Sequence, residues 1–322
     1  MEKSTYLEDA LETYKMRHIE DLVKKYKTRR DEIKEDLKEK FNSKAYNPFN
    51  SGSFAKHTAI NTKFDLDLVV PFKRDSFSTI KEMFDEVYDF LKEKYQDSGK
   101  AEVRKQKVSI GVIFYSDAEG DRIDIDVVPG RELNDDDYLT SKDLHIYFNE
   151  DLWGYEKGSY QKTNIQSQIN HIKGKSEARE VIRLLKIWKS TNGEDYKSFL
   201  FELFTIKAFD KTEITGDLWD RLKVVMTYIK ENVVKDGFNL IDPGNSNNNL
   251  MDSLDEWQKE QLSDKMKNMI ERIEDNSENL KTYFPKNKKF GEDKNNSSED
   301  NSYRLKGGTA GISIPKKGQR FG

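Results

Sequence analysis

Ser51-Gly52-Ser53-Phe54 followed by Asp65-Leu66-Asp67-Leu68-Val69-Val70 reads as a small-residue turn, a short helical start and then a strand carrying two carboxylates. Successive side chains of an extended strand point to opposite faces. Asp65 and Asp67 therefore share one face, while Phe64, Leu66, Leu68 and Val70 share the other. Further on, Arg122-Ile123-Asp124-Ile125-Asp126-Val127-Val128-Pro129 repeats the pattern, with Ile123, Ile125 and Val127 on the apolar face and Asp124 and Asp126 opposite. Carboxylates converging from two neighbouring strands would make a divalent-metal site.

Outward from these strands the pattern alternates between strand and helix. Residues 5 to 42 carry Leu7, Leu11, Leu22, Tyr26, Ile33, Leu37 and Phe41 at helical spacing, which predicts one long helix or two joined end to end. Lys24, Lys25, Lys27, Arg29 and Arg30 lie on its exposed side. Such a run is ordinarily a solvated face balanced by acids, here Glu32, Glu35 and Asp36; the sharper reading is a ledge for an activating RNA, and phosphate contacts there would be salt-sensitive. Asn42 to Asn50 is expected as a loop. Ile80, Met83, Phe84, Val87, Leu91 and Tyr95 form an amphipathic helix, and Val108, Ile110, Val112 and Phe114 alternate as a strand that pairs with the second acidic strand in a hairpin.

From Leu139 to Lys175 the pattern weakens into an expected loop region, where Trp153 or Tyr155 could stack on a base. From Ser176 the chain turns helical. Val181, Leu184, Leu185 and Trp188 supply the core side of one helix, whereas Arg179, Arg183 and Lys186 share another face. Residues 197 to 209 are so apolar that they are expected as the central helix of this second lobe, and Asp217 to Val234 is a further amphipathic helix. The segment from Asp242 to Asn249 is expected to cap and connect, and a last helix carries Leu254, Trp257, Leu262, Met266, Ile270 and Ile273. Beyond residue 286 the composition becomes polar and glycine-rich, which predicts a mobile tail. The expected division is thus 1–160 for a sheet lobe with a long N-terminal helix, 161–285 for a helical lobe and 286–322 for the tail.

Composition narrows the chemistry. The 322 residues contain no cysteine and four histidines, which excludes disulfides, thiol nucleophiles and cysteine-based zinc sites and fits a cytoplasmic protein. A net charge of -4 argues against a dedicated nucleic-acid coat. No run has the length of a membrane span, and the first residues lack a secretory apolar core. Carboxylates rather than imidazoles must then hold any metal. Mg²⁺ takes oxygen ligands, usually one or two carboxylates with substrate phosphates, and two such ions about 3.5–4 Å apart can serve a displacement at phosphorus. Gly52 and Ser53 offer a backbone of low bulk, N–H donors and a hydroxyl to a triphosphate.

Gly52-Ser53, Asp65-Leu66-Asp67 and Asp126-Val127-Val128-Pro129, in this order, resemble the signature of the DNA polymerase β-like nucleotidyltransferases. Within them, residues 5 to 285 most resemble the bacterial cyclic-oligonucleotide synthases of anti-phage defence, relatives of cyclic GMP-AMP synthase and oligoadenylate synthetase. The resemblance implies a bilobed α/β (α+β) fold with a mixed sheet lobe and a helical lobe. It also implies NTP substrates, two Mg²⁺ or Mn²⁺ ions, release of pyrophosphate and a cyclic di- or trinucleotide product. By the same resemblance the third metal carboxylate precedes Val-Val-Pro and is Asp126, with Asp124 as its rival on the same face; Lys186 and Ser198 correspond to the triphosphate-binding lysine and serine. The cysteine/histidine zinc insertion of the animal enzyme is absent, and Ile165 stands after Thr163-Asn164 where relatives often place proline. Some relatives are conjugated through a terminal glycine, which makes Gly322 a candidate for ubiquitin-transfer-like enzymes. A nucleotidyltransferase acting on an RNA, protein or small-molecule acceptor, and a catalytically silent nucleotide- or RNA-binding regulator, are the alternatives.

Overall fold

The computed structural model describes residues 1–64, 66–133, 138–149 and 159–291, with Ser159 described by its backbone alone. The N-terminal helical pattern divides in two: α1 (Lys3–Thr13) ends near Tyr14, and a single 3₁₀ turn leads to α2 (Glu20–Phe41). A short strand β1 (Phe49–Ser51) and one helical turn α3 (Gly52–Ala55) follow, in a stretch expected as loop up to Asn50. Next come β2 (Leu66–Phe72) and α4 (Ile80–Leu91). The Thr79 hydroxyl accepts from the Glu82 N–H while the Glu82 carboxylate accepts from the Thr79 N–H, a reciprocal cap that fixes where α4 starts.

The sheet is completed by β3 (Ala101–Lys105), β4 (Ile110–Phe114), β5 (Ile123–Glu132), β6 (Leu144–Phe148) and β7 (Ser159–Thr163), with the single turn α5 (Tyr138–Ser141) before β6. Strand order is β1-β2-β5-β4-β3, and the distal half of β5 also pairs with β6, which pairs with β7. Among the described strands, β2 and β5 are the only pair that runs parallel. β5 is long enough to pair β4 from Ile123 to Val127 and β6 from Gly130 to Glu132. Residues 139–175, expected as loop, therefore contain two strands and the helix α6 (Ile165–Ile172).

Four longer helices follow among the described residues, α7 (Ser176–Thr191), α8 (Ser198–Lys211), α9 (Leu218–Asn232) and α10 (Glu256–Asp275), and a single turn at Leu280–Tyr283 comes after them. α8 is buried on almost every side, from Phe199 to Ile206, as its composition requires. Two large cores result. One joins α2 and α4 to one face of the sheet through Ile33, Leu37, Met83, Phe84, Leu68 and Ile125. The other joins α7, α8, α9 and α10, and α1 adds Tyr6, Leu7, Ala10 and Leu11 to it. The first helix thus packs in the helical core while the second packs on the sheet, and the chain crosses between lobes at residues 14–19.

Residues 286–291, expected to begin the tail, dock on this crossing. Lys286 pairs with Asp9 at 2.9 Å, the Asn287 N–H donates to the Thr13 hydroxyl at 2.9 Å, and Phe290 stacks on His18 at 4.9 Å. The rest of the tail, with Gly322, lies outside the described residues, as do Asp65, Trp153 and Tyr155.

Candidate active site

The parallel pairing of β2 with β5 sets Asp67 directly opposite Asp126, both on the face away from the core occupied by Leu66, Leu68, Ile125 and Val127. Both carboxylates are half-buried. Asp124, the rival, lies before the paired segment, opposite Ile113 on β4, and its carboxylate accepts from Arg122 at 3.2 Å. Register, which strand parity alone does not supply, separates the two.

The turn before β2 folds back on this pair. Ser51 pairs with Asp67 across β1 and β2, so Gly52 begins α3 beside the carboxylate. Gly52 has φ +67°, and a Cβ placed on it would come within 1.7 Å of Asp67 Oδ2. No other residue leaves that carboxylate its place without strain. The Ser53 hydroxyl is buried and has no hydrogen-bond partner among the described residues. A buried orphan donor of this kind implies a ligand or water that completes it.

Residues 56 to 58 tie this turn to the helical lobe. Lys56 is buried, pairs with buried Glu202 of α8 at 2.8 Å and lies over the Phe199 ring at 4.3 Å. Arg183 of α7 donates to the His57 carbonyl at 3.1 Å, and burial lowers the pKa of its guanidinium. The Lys186 ammonium donates to the Thr58 hydroxyl at 2.8 Å and to its carbonyl at 3.0 Å. Ser198 opens α8 one turn before Glu202. Gly52, Ser53, Asp67, Asp126 and Lys186 are thereby gathered about one short segment, while Ser198 begins the helix that carries Glu202; Asp65 is outside the described residues.

Three residues around this site escaped sequence reasoning. Lys189, one turn beyond Lys186, is held below the usual lysine range by burial and then by the charge of Lys63. Lys56 and Glu202 form a buried ion pair that no local pattern announces, because their partners are set by tertiary packing.

The basic side of α2 is largely occupied. Lys25 pairs with Asp117, Glu119 and Asp121 of the β4–β5 turn, at 2.6, 3.1 and 2.6 Å. Lys24 pairs with Asp21 and Glu20, Arg29 with Glu32, and Arg30 with Asp31, while Lys27 lies over Phe54. The segment from Asp242 to Asn249 is a structural knot: the Asp242 carboxylate accepts from Gln168, the Gly244 N–H and Asn248.

The residues present suit a hard divalent cation. They offer carboxylate oxygens from two adjacent strands and, beside them, an unpartnered hydroxyl and a turn that admits no side chain. No group of three acidic or histidine residues arranged for a metal occurs among the described residues, which exclude Asp65. No helix among the described residues is long and apolar enough to cross a membrane.

The chain is also similar to known proteins. Residues 1–147 match the family described as the Second Messenger Oligonucleotide or Dinucleotide Synthetase domain. The chain is 25% identical over 198 residues to the CBASS oligonucleotide cyclase CdnC of Escherichia coli (strain KTE188), a match that spans 58% of this chain and 58% of that relative. Among solved structures, E. coli MS115-1 CdnC with ATP superposes with a TM-score of 0.62 at 19% identity, covering 81% of this chain and 91% of that one. The Vibrio cholerae DncV cyclic AMP-GMP synthase superposes at 0.57 and 13% identity, covering 77% and 71%. The fold is therefore the mixed α/β, polymerase-β-like one, and the resemblance drawn from the acidic motifs is borne out.

Proposed function

We propose, for a chain whose residues 1–147 match a second-messenger oligonucleotide or dinucleotide synthetase domain, that it joins nucleoside triphosphates into a cyclic di- or trinucleotide. The observation that carries this reading is the stack of Gly52, Asp67 and Asp126: a turn closed to side chains against a carboxylate that stands opposite a second one. In each step a ribose hydroxyl oxygen of one nucleotide bonds to the α-phosphorus of another, its proton is lost, and the bond to the bridging oxygen breaks to release pyrophosphate. Repetition within the linear intermediate closes the ring.

Asp67 and Asp126, with Asp65, would hold Mg²⁺ or Mn²⁺, two ions in this reading. Bound metal supplies charge neutralisation at the triphosphate and lowers the pKa of the attacking hydroxyl. The protein's own contribution is positioning. Gly52 lets the backbone approach the phosphates, Ser53 donates its free hydroxyl, and Lys186 and Ser198 steady the triphosphate from the helical lobe. The likeness to CBASS cyclases supports anti-phage signalling as the setting. The carboxylates around Lys24 to Arg30 would have to be displaced by an RNA, so RNA is not part of this reading. Conjugation through Gly322 is a separate proposal, tested by mass spectrometry of the C-terminal peptide after co-expression with a conjugating enzyme.

Purified protein incubated with labelled ATP, GTP, CTP and UTP and Mg²⁺ or Mn²⁺ tests the function. The expected result is a phosphatase-resistant small product, identified by chromatography and mass spectrometry and lost in Asp67→Asn. A product that forms only with an added RNA, protein or small-molecule acceptor overturns the cyclase reading.

A further inference from the structure

Gln106 stands in the tight turn between β3 and β4, where its N–H donates to the Ser109 carbonyl at 2.8 Å. Its side chain leaves the turn and crosses to β5. There the amide nitrogen donates to Asp126 Oδ1 at 3.0 Å. The other end of the same amide is fixed as well, because the buried Ser109 hydroxyl donates to Gln106 Oε1 at 2.9 Å. A carboxylate only accepts, and a carbonyl oxygen occupied by a hydroxyl leaves the NH₂ group to face Asp126.

The neighbouring strand makes room for this contact. Gly111 of β4 pairs with Asp126, and a Cβ at that position would come within 2.6 Å of the Gln106 amide nitrogen. The absence of a side chain opposite Asp126 is what admits the amide. The turn itself is pinned to the end of β6, since the Asn149 N–H donates to the Lys107 carbonyl at 2.7 Å and the Asn149 amide donates to the Gln106 carbonyl at 3.4 Å.

We propose that the Ser109–Gln106 pair is the orienting shell of Asp126, holding one carboxylate oxygen so that the other is presented to the metal. Gln106 is thus a positioning residue that acts through Asp126, and this rests on the metal-binding role given to Asp126 above. Gln106 pre-sets a rotamer that the carboxylate would otherwise have to adopt on binding, so its loss weakens the metal before it affects the chemistry. Removal of outer-shell partners of metal ligands typically lowers affinity by about 10–100-fold.

The test is Mn²⁺ binding to the full chain, read by the electron paramagnetic resonance of free Mn²⁺ without NTP, with the melting temperature of the metal-free protein alongside. Gln106→Met keeps the length of the side chain and removes both polar ends; it is expected to raise the Mn²⁺ dissociation constant by about tenfold or more. Ser109→Ala frees the amide to turn over and is expected to act in the same direction to a smaller extent, and it provides the reading if Gln106→Met folds poorly. Excess Mn²⁺ should restore turnover to Gln106→Met but not to Asp126→Asn. Mn²⁺ affinities of both variants within about twofold of wild type, well short of an outer-shell effect, overturn the proposal. Unchanged affinity in Asp126→Asn instead overturns the metal role of Asp126 itself.

Discussion

Asp67 on β2 and Asp126 on β5 occupy the same rung of the only parallel strand pair in the described sheet. A one-residue slip would turn one of them into the core, where Leu66, Leu68, Ile125 and Val127 are fully buried. The hydrophobic pattern of both strands therefore locks the two carboxylates together, and the stability of the sheet and the geometry of the site have one cause.

The same register separates Asp126 from Asp124. Asp126→Asn is expected to lower product formation by roughly 100-fold or more, the scale of losing a group aimed at the developing charge. Asp124→Asn, which removes only an exposed pair with Arg122, should leave product formation near wild type. Initial rates of product release for the two variants decide this; equal losses would remove the distinction.

Gly52→Ala combines two faults. Alanine at φ +67° costs about 1–2 kcal/mol, and its Cβ would displace the Asp67 carboxylate. Product formation should fall far more than the melting temperature does. Gly99, with φ +75° and open space around it, is the control: Gly99→Ala should lower stability by a similar backbone term and leave product formation unchanged.

Much of this was legible in the chain. Alternation of apolar and acidic residues predicted β2 and β5, helical periodicity predicted α4, α7 and α9, and sheer apolar content predicted α8. What strand parity cannot supply is which strands pair and in what direction, so Asp124 and Asp126 stayed rivals until β2 and β5 were aligned. β6 and β7 were hidden because their alternation mixes His145, Tyr160 and Lys162 with the buried residues and no clear turn signal bounds them. Gln106 carried no signal at all: a polar residue in a turn is ordinary, and its meaning comes from a carboxylate on another strand.

Lys56 and Glu202 should behave as a buried pair. Removing one partner strands the other charge, so Lys56→Met or Glu202→Gln is expected to cost about 3–5 kcal/mol in chemical denaturation. The double variant Lys56→Met with Glu202→Leu should recover a large part of that loss. Because the pair anchors the turn at Gly52 to α8, the double variant is expected to remain folded yet bind NTP more weakly. Additive losses in the double variant would show that the two side chains do not act as a pair.

Glu274 gives a pH signature that does not involve the site. Its carboxylate accepts from Lys223 at 2.7 Å, Lys3 at 2.6 Å and the Trp219 indole at 3.1 Å, and the hydrogen bonds from these groups hold its pKa down to about 2 from an ordinary 4.5. A depressed folded pKa means that the contribution is complete above about 4.5 and is lost as pH falls toward about 2. The group is 38% exposed, so screening limits the contribution to about 1 kcal/mol or less. The stability difference between wild type and Glu274→Gln should be present at neutral pH and vanish at the acid end; a difference independent of pH would mean that packing, not charge, links α1, α9 and α10.

Lys186 is held by Thr58 at a point between the phosphate turn and the helical lobe. If the ammonium serves the triphosphate, binding must compete with the two Thr58 oxygens or share the cation with them, since an ammonium has three donors. Lys186→Ala is then expected to raise the KM for NTP by roughly tenfold or more, within the about 1.5–3 kcal/mol of one charge-assisted hydrogen bond, with a smaller effect on kcat. Thr58→Val removes the hydroxyl that holds the ammonium and leaves the lysine in place, so its KM should change much less than that of Lys186→Ala. An equal rise in both variants would assign Lys186 to holding the segment at Thr58 instead of to the substrate, and would move the triphosphate contact to Lys189 or Ser198.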